Sequence, residues 1–116
     1  MKPSKPSELS DAPQVDLPEN PHRLATKYPE LWAEFQKLGE QTSTAGPLSA
    51  RERRLVHLAL AIGADSTGAM HSHVRRGLSE GLTPAEIEHV ALLAITTTGW
   101  PRAMRALSWI WDVTGK

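Results

Sequence analysis

The chain of 116 residues has no cysteine. That absence excludes disulfides, thiolate metal ligands and thiol redox chemistry together, and leaves any catalysis to oxygen and nitrogen groups. Surplus charge is also lacking, because 13 Lys and Arg face 13 Asp and Glu. With no net field to attract phosphates or anionic lipid headgroups, neither nucleic acid nor a membrane surface is an expected partner. No window approaches the ~18 consecutive apolar residues of a membrane span, and the N-terminal MKPSKPSELSDAPQ lacks the apolar centre of a signal peptide. A cytoplasmic location is therefore expected. Nothing alternates with period two over a strand length, which argues against a sheet.

What is present reads as helix. Five of the nine prolines fall within residues 1–21 among Ser, Lys, Asp and Glu, a composition that buries too little apolar surface to offset the entropy of ordering. Residues 1–20 are therefore expected to be a flexible arm, and 21–116 a single helical domain. Pro29 suits a first helical turn, with Leu31, Trp32, Phe35 and Leu38 following at helical spacing and TAGPL closing the segment. Ser49 and Glu52 form a capping box for a second helix with Leu55, Leu58 and Ile62 on its buried stripe. Asp65 or Ser66 caps a third, where Met70, Val74, Gly77 and Leu78 share a face, and Gly81 stops it. Thr83, Pro84 and Glu86 start a fourth, with Leu82 and Ile87 as a hydrophobic staple. Gly99 ends it, and Pro101 opens a fifth carrying Met104, Leu107, Ile110 and Trp111. The fold class is all-α, with five to six helices.

The segment VALLAI is apolar almost all the way round, and the last helix adds Trp109 and Trp111. That exceeds what so few neighbours can cover, so a symmetric homo-oligomer is expected; the alternative is a central helix buried within a monomer.

The stretch MHSHVRRG concentrates the candidate chemistry. At about 100° per residue, His71 and His73 point roughly 200° apart, so on a helix they cannot share one metal ion within a subunit. Relative to Val74 both lie at the boundary of the buried face, His71 the more inward. Each is either a structural imidazole bonded to a carbonyl or carboxylate, or a proton-transfer group. Arg54 falls within the arc of Leu55, Leu58 and Ile62. A guanidinium aimed into that stripe cannot shed its charge and needs an anion. Asp65 is the structural candidate and a bound carboxylate or phosphate the functional one; the third reading has Arg54 snorkelling past the helix end. Trp100, in GWP, either lines a ligand pocket or packs on the preceding helix. His57 on the second helix, with one of His71 or His73, leaves a nitrogen-based metal site open. Arg75 and Arg76 are expected to meet solvent, a carboxylate or another subunit, and no role is assigned to His89.

The succession LSARERRLVHLALAIGA, MHSHVRRGLSEGLTPAEIEHVALLAI and TTTGWPRAMRAL resembles the carboxymuconolactone decarboxylase family, which includes the AhpD-like alkylhydroperoxidases. The resemblance covers about residues 25–112. It implies an all-α AhpD-like fold assembled as a trimer or hexamer, and places His73 at the position of the family histidine. AhpD-type members carry C-x-x-C where this chain has Ser66 and Ala69, so their thiol peroxidase activity is not expected. Family members often have Glu at the position of Arg54, and decarboxylase-like relatives a Glu one turn before the histidine region, where residues 67–69 here are Thr, Gly and Ala. The expectation is a cofactor-independent lyase or isomerase for a small carboxylated molecule, with His73 and His71 catalytic and Arg54 and Trp100 binding substrate, and with neither cofactor nor metal. The alternatives are a non-catalytic oligomeric binding or accessory protein, and a His-based metal-binding protein.

Overall fold

A computed structural model of the chain describes residues 19–115, which form six α-helices and no strand. These are α1 (Glu19–Lys27), α2 (Pro29–Thr44), α3 (Ala50–Gly63), α4 (Thr67–Ser79), α5 (Pro84–Ala94) and α6 (Trp100–Thr114). The expected arm, residues 1–20, lies outside the described residues except for Glu19 and Asn20, which open α1. None of the helices is long and apolar enough to cross a membrane.

The chain divides into two compact units between Pro47 and Leu48. In the first unit α1 packs on α2. α1 is the one helix that lacks a sequence-predicted counterpart, since its ENPHRLATK has only Leu24 and Ala25 to mark an apolar face. Pro29 occupies the first turn of α2 as expected. Trp32 and Phe35 lie one turn apart with ring centroids at 5.7 Å.

In the second unit the termini follow their caps. The Ser49 hydroxyl accepts from the Glu52 amide at 3.1 Å, and the Glu52 carboxylate accepts from the Ser49 amide at 2.8 Å. The same reciprocal pair joins Thr83 and Glu86, at 3.1 and 2.9 Å. Ser66, rather than Asp65, caps α4, accepting from the Ala69 amide. Asp65 takes the left-handed turn before it, with φ 57°, a conformation that Asp tolerates better than most side chains. α6 starts at Trp100, one residue ahead of Pro101, because Gly99 reaches φ 104° and reverses the chain there.

α3 packs on α4 and α5, and α6 packs on the same two helices, which closes a four-helix ring. Leu58, Ile62, Met70, Val74, Ile87 and Ile110 are fully buried at its centre. All six sit at expected stripe or staple positions. Gly77 permits the close approach of α4, because a Cβ there would come to 3.0 Å from Leu82 Cδ1. The apolar surplus is visible as well: Leu60, Leu92 and Leu93 are 63%, 49% and 61% exposed. Of the two tryptophans, Trp109 is buried, while Trp111 lies at the surface and its Nε1 donates to Glu88 at 3.0 Å.

Thr83 holds the start of α5, so Thr83→Ala should lower the unfolding free energy by about 1 kcal/mol, with Thr83→Ser close to wild type. Urea denaturation followed by circular dichroism measures both.

Candidate functional site

Arg54, His57, His73 and Glu80 meet where α3 packs on α4. Arg54 and His57 stand one turn apart on α3; His73 on α4 and Glu80 at its C-terminal cap stand seven residues apart, which returns Glu80 to the same face. The Arg54 side chain is only 13% exposed. Its stem runs past Gly77, where a Cβ would be 3.5 Å from Arg54 Cγ. Its guanidinium then donates from Nε and Nη2 to the two Glu80 oxygens, both at 2.9 Å. This fork-to-fork pair satisfies the charge that the sequence required to be met. The anion is Glu80 and not Asp65. Asp65 instead accepts from Arg105 of α6 at 2.9 and 3.1 Å, because the left-handed turn at Asp65 directs its carboxylate toward α6.

The third guanidinium nitrogen, Nη1, lies 2.6 Å from His73 Nδ1. On its other side the His73 ring stacks on His57, with centroids 5.2 Å apart and planes 25° from parallel. His73 Nε2 has no hydrogen-bond partner among the described residues. Burial, reinforced by the charges of Arg54, His57 and Arg76 and opposed only by Glu80, lowers the His73 pKa from 6.5 to about 4. Arg54 in turn holds the Glu80 carboxyl below the usual carboxylate range, chiefly through its hydrogen bonds. At neutral pH the cluster is thus a guanidinium, a carboxylate and an uncharged imidazole.

His71 points elsewhere, as the helical period requires. Its Nε2 lies 3.1 Å from Asp112 Oδ2 on α6, so the two histidines of MHSHVRRG serve opposite flanks of α4. Trp100, at the first position of α6, is 61% exposed. His57 and His73 present their faces to each other instead of converging lone pairs, and Nδ1 of His73 already meets a cation. Among the described residues no group of three or more His, Asp or Glu is arranged to hold a metal ion. An apolar groove of about 510 Å³ runs along the other flank of α3, against α5, with Leu55, Val56 and Leu93 in its wall and the Arg51–Glu86 ion pair on its rim.

Glu80 was not among the sequence candidates. Its signal was the seven-residue spacing from His73, which places it on the histidine's face, whereas Asp65 recommended itself only by nearness along the chain.

The depressed His73 pKa couples stability to pH. The unfolded chain takes up a proton near 6.5 and the folded one only near 4, so stability is complete above about pH 6.5 and falls progressively toward pH 4. The carboxyls lowered in the fold, Glu52, Asp65, Glu80 and Glu86, begin to act within about one pH unit above their ordinary values of 4.5 or 3.8. Between about pH 6.5 and 5.5 the slope from these shifted groups belongs chiefly to His73, and His73→Gln should flatten it in denaturation curves taken across that interval.

Comparison with known proteins agrees with this architecture. The apo crystal structure of lpg0406, a carboxymuconolactone decarboxylase family protein from Legionella pneumophila, superposes with a TM-score of 0.69 at 18% sequence identity, covering 81% of this chain and 83% of that one. No curated protein matches the sequence significantly. The sequence model of the carboxymuconolactone decarboxylase family matches residues 29–111. The chain, with its AhpD-like all-α fold, belongs to the carboxymuconolactone decarboxylase family.

Proposed function

We propose that this protein is a cofactor-independent lyase or isomerase that acts on a small carboxylated substrate and works as a homo-oligomer. The observation that carries the reading is the state of His73. One ring nitrogen is engaged by Arg54 at 2.6 Å and the other has no partner among the described residues. A half-buried imidazole nitrogen left over from the protein's own hydrogen bonding is suited to meet a substrate. Arg54 has five N–H donors. Nε, Nη2 and Nη1 commit one each to Glu80 and His73, so two remain for a substrate carboxylate beside the ring. His71, tied to Asp112, stands apart from that position; its part in proton transfer and that of Trp100 in binding belong to the same proposal. The oligomer is supported by the exposed Leu60, Leu92 and Leu93 and by the groove between α3 and α5, apolar area of a kind that a second subunit covers in symmetric assemblies.

One observation favours a second reading, a non-catalytic binding or accessory protein. Glu80 already neutralises Arg54, so the guanidinium is stable without any ligand.

Turnover separates the two. The purified protein, offered a panel of small carboxylated lactones and enolisable oxo acids and followed by ultraviolet absorbance and CO₂ release, should convert at least one. His73→Ala should reduce kcat/KM on that substrate about 100-fold or more, with helix content retained. Absence of turnover across the panel, or turnover indifferent to His73→Ala, returns the second reading.

A further inference from the structure

We propose that Arg54 is a positioning residue that keeps the proton of His73 on Nε2, so that the ring meets its ligand as a hydrogen-bond donor to an anionic oxygen, a carboxylate or enolate, and not as a base. The proposal rests on the reading that His73 faces the substrate, and it goes further by fixing which proton the ring carries.

The first step is donor accounting. A guanidinium has N–H groups but no acceptor, and it does not deprotonate in proteins. At 2.6 Å from Arg54 Nη1, His73 Nδ1 is therefore the acceptor and carries no hydrogen. A neutral imidazole with a bare Nδ1 has its single N–H at Nε2, the nitrogen left without a partner among the described residues.

The second step is that the guanidinium stays in place. Glu80 grips it at Nε and Nη2, Gly77 underlies its stem, and little of it is exposed. The tautomer is thus imposed by a side chain that is itself clamped. The third step concerns the doubly protonated ring. It would turn an Nδ1–H toward an Arg54 N–H, cation against cation. The groups facing His73 are Arg54 and His57 from α3 and Arg76 and Glu80 from α4; of these only Glu80 favours the imidazolium. Burial, the largest cause, acts in the same direction as Arg54, His57 and Arg76.

A neutral imidazole that cannot accept at Nε2 has one use toward a ligand. It donates, and donation from a fixed N–H in a partly desolvated site stabilises oxygen charge that develops during reaction. The residue at position 54 decides this. A carboxylate there would accept from Nδ1–H, leave Nε2 bare and make the same ring a base. Reversing the sign of charge at one position on α3 reverses the end of the imidazole that holds the proton.

The test reads the ring directly, in the full chain without substrate. Long-range ¹H–¹⁵N correlation of ¹⁵N-histidine-labelled protein at pH 7, with His73 assigned by loss of its signals in His73→Gln, should give a protonated Nε2 and a bare Nδ1. Arg54→Met should convert this to a mixture of tautomers and raise the protonation midpoint of the ring toward 6.5. Glu80→Gln should move the midpoint the opposite way, with Nε2–H retained, and this second variant decides the matter if Arg54→Met does not fold. A proton on Nδ1 in the wild type, or a midpoint unmoved by whichever variants fold, overturns the proposal. Since no turnover is measured, a bare Nδ1 in a protein inactive on every substrate would refute the enzymatic reading and leave the role of Arg54 standing.

Discussion

A guanidinium that cannot lose its charge has been drawn out of bulk water between two helices, and the arrangement of the site follows from meeting that charge. Removing a cation from water costs several kcal/mol unless partners replace the lost solvation. Arg54 finds them in the two oxygens of Glu80 and in Nδ1 of His73. Each partner is shifted in return: the hydrogen bonds from Arg54 hold the Glu80 carboxyl below its usual range, and its charge adds to the burial that lowers the His73 pKa. His57, stacked on the outer face of His73, extends the cluster to the surface of α3.

The packing around it explains how so small a unit accommodates a charged group next to its core. Four helices in a ring leave room for only a few large side chains at the centre, and Leu58, Ile62, Met70, Val74, Ile87 and Ile110 fill it. Arg54 lies on the flank of α3 beside this core and not within it, crossing Gly77 where a larger residue would press on Leu82. The glycine serves the close contact of α4 with Leu82, and the arginine stem passes it at ordinary contact distance. A β-carbon there would press on Leu82 Cδ1 at 3.0 Å while meeting Arg54 Cγ at an ordinary 3.5 Å, so the glycine is needed on the core side and not for the arginine.

The sequence revealed most where a local rule has a strong physical basis. Ser49 and Thr83, each with a glutamate three residues on, marked the starts of α3 and α5, because a capping box uses only neighbours in the chain. The buried stripes were equally legible from the helical period. α1 was not, since its short polar sequence carries no cap or stripe strong enough to stand out. At the site, the need of Arg54 for an anion and the divergence of His71 from His73 followed from charge and geometry. The identity of the anion did not. Choosing Asp65 assumed that a partner close in sequence is close in space, whereas the turn at Asp65 sends its carboxylate to Arg105. Glu80 as the partner of Arg54, and the stacking of His57 on His73, became visible only once α3 lay against α4, a long-range contact that no single-helix pattern encodes.

α3 carries two different surfaces. Toward α4 it presents Arg54 and His57, and its other flank, with Leu55 and Val56, walls the apolar groove along α5. The helical period forces this separation, because residues 54 and 57 fall on one side of Leu58 and residues 55 and 62 on the other. A charged cluster and an apolar groove can therefore share one helix without competing for the same side chains. The cost of desolvating Arg54 is met locally by Glu80, so the apolar flank is not required to screen it. The second subunit proposed to cover Leu60 and Leu93 would then bind through dispersion and water release alone, leaving the electrostatics of His73 to burial and the four groups that face it.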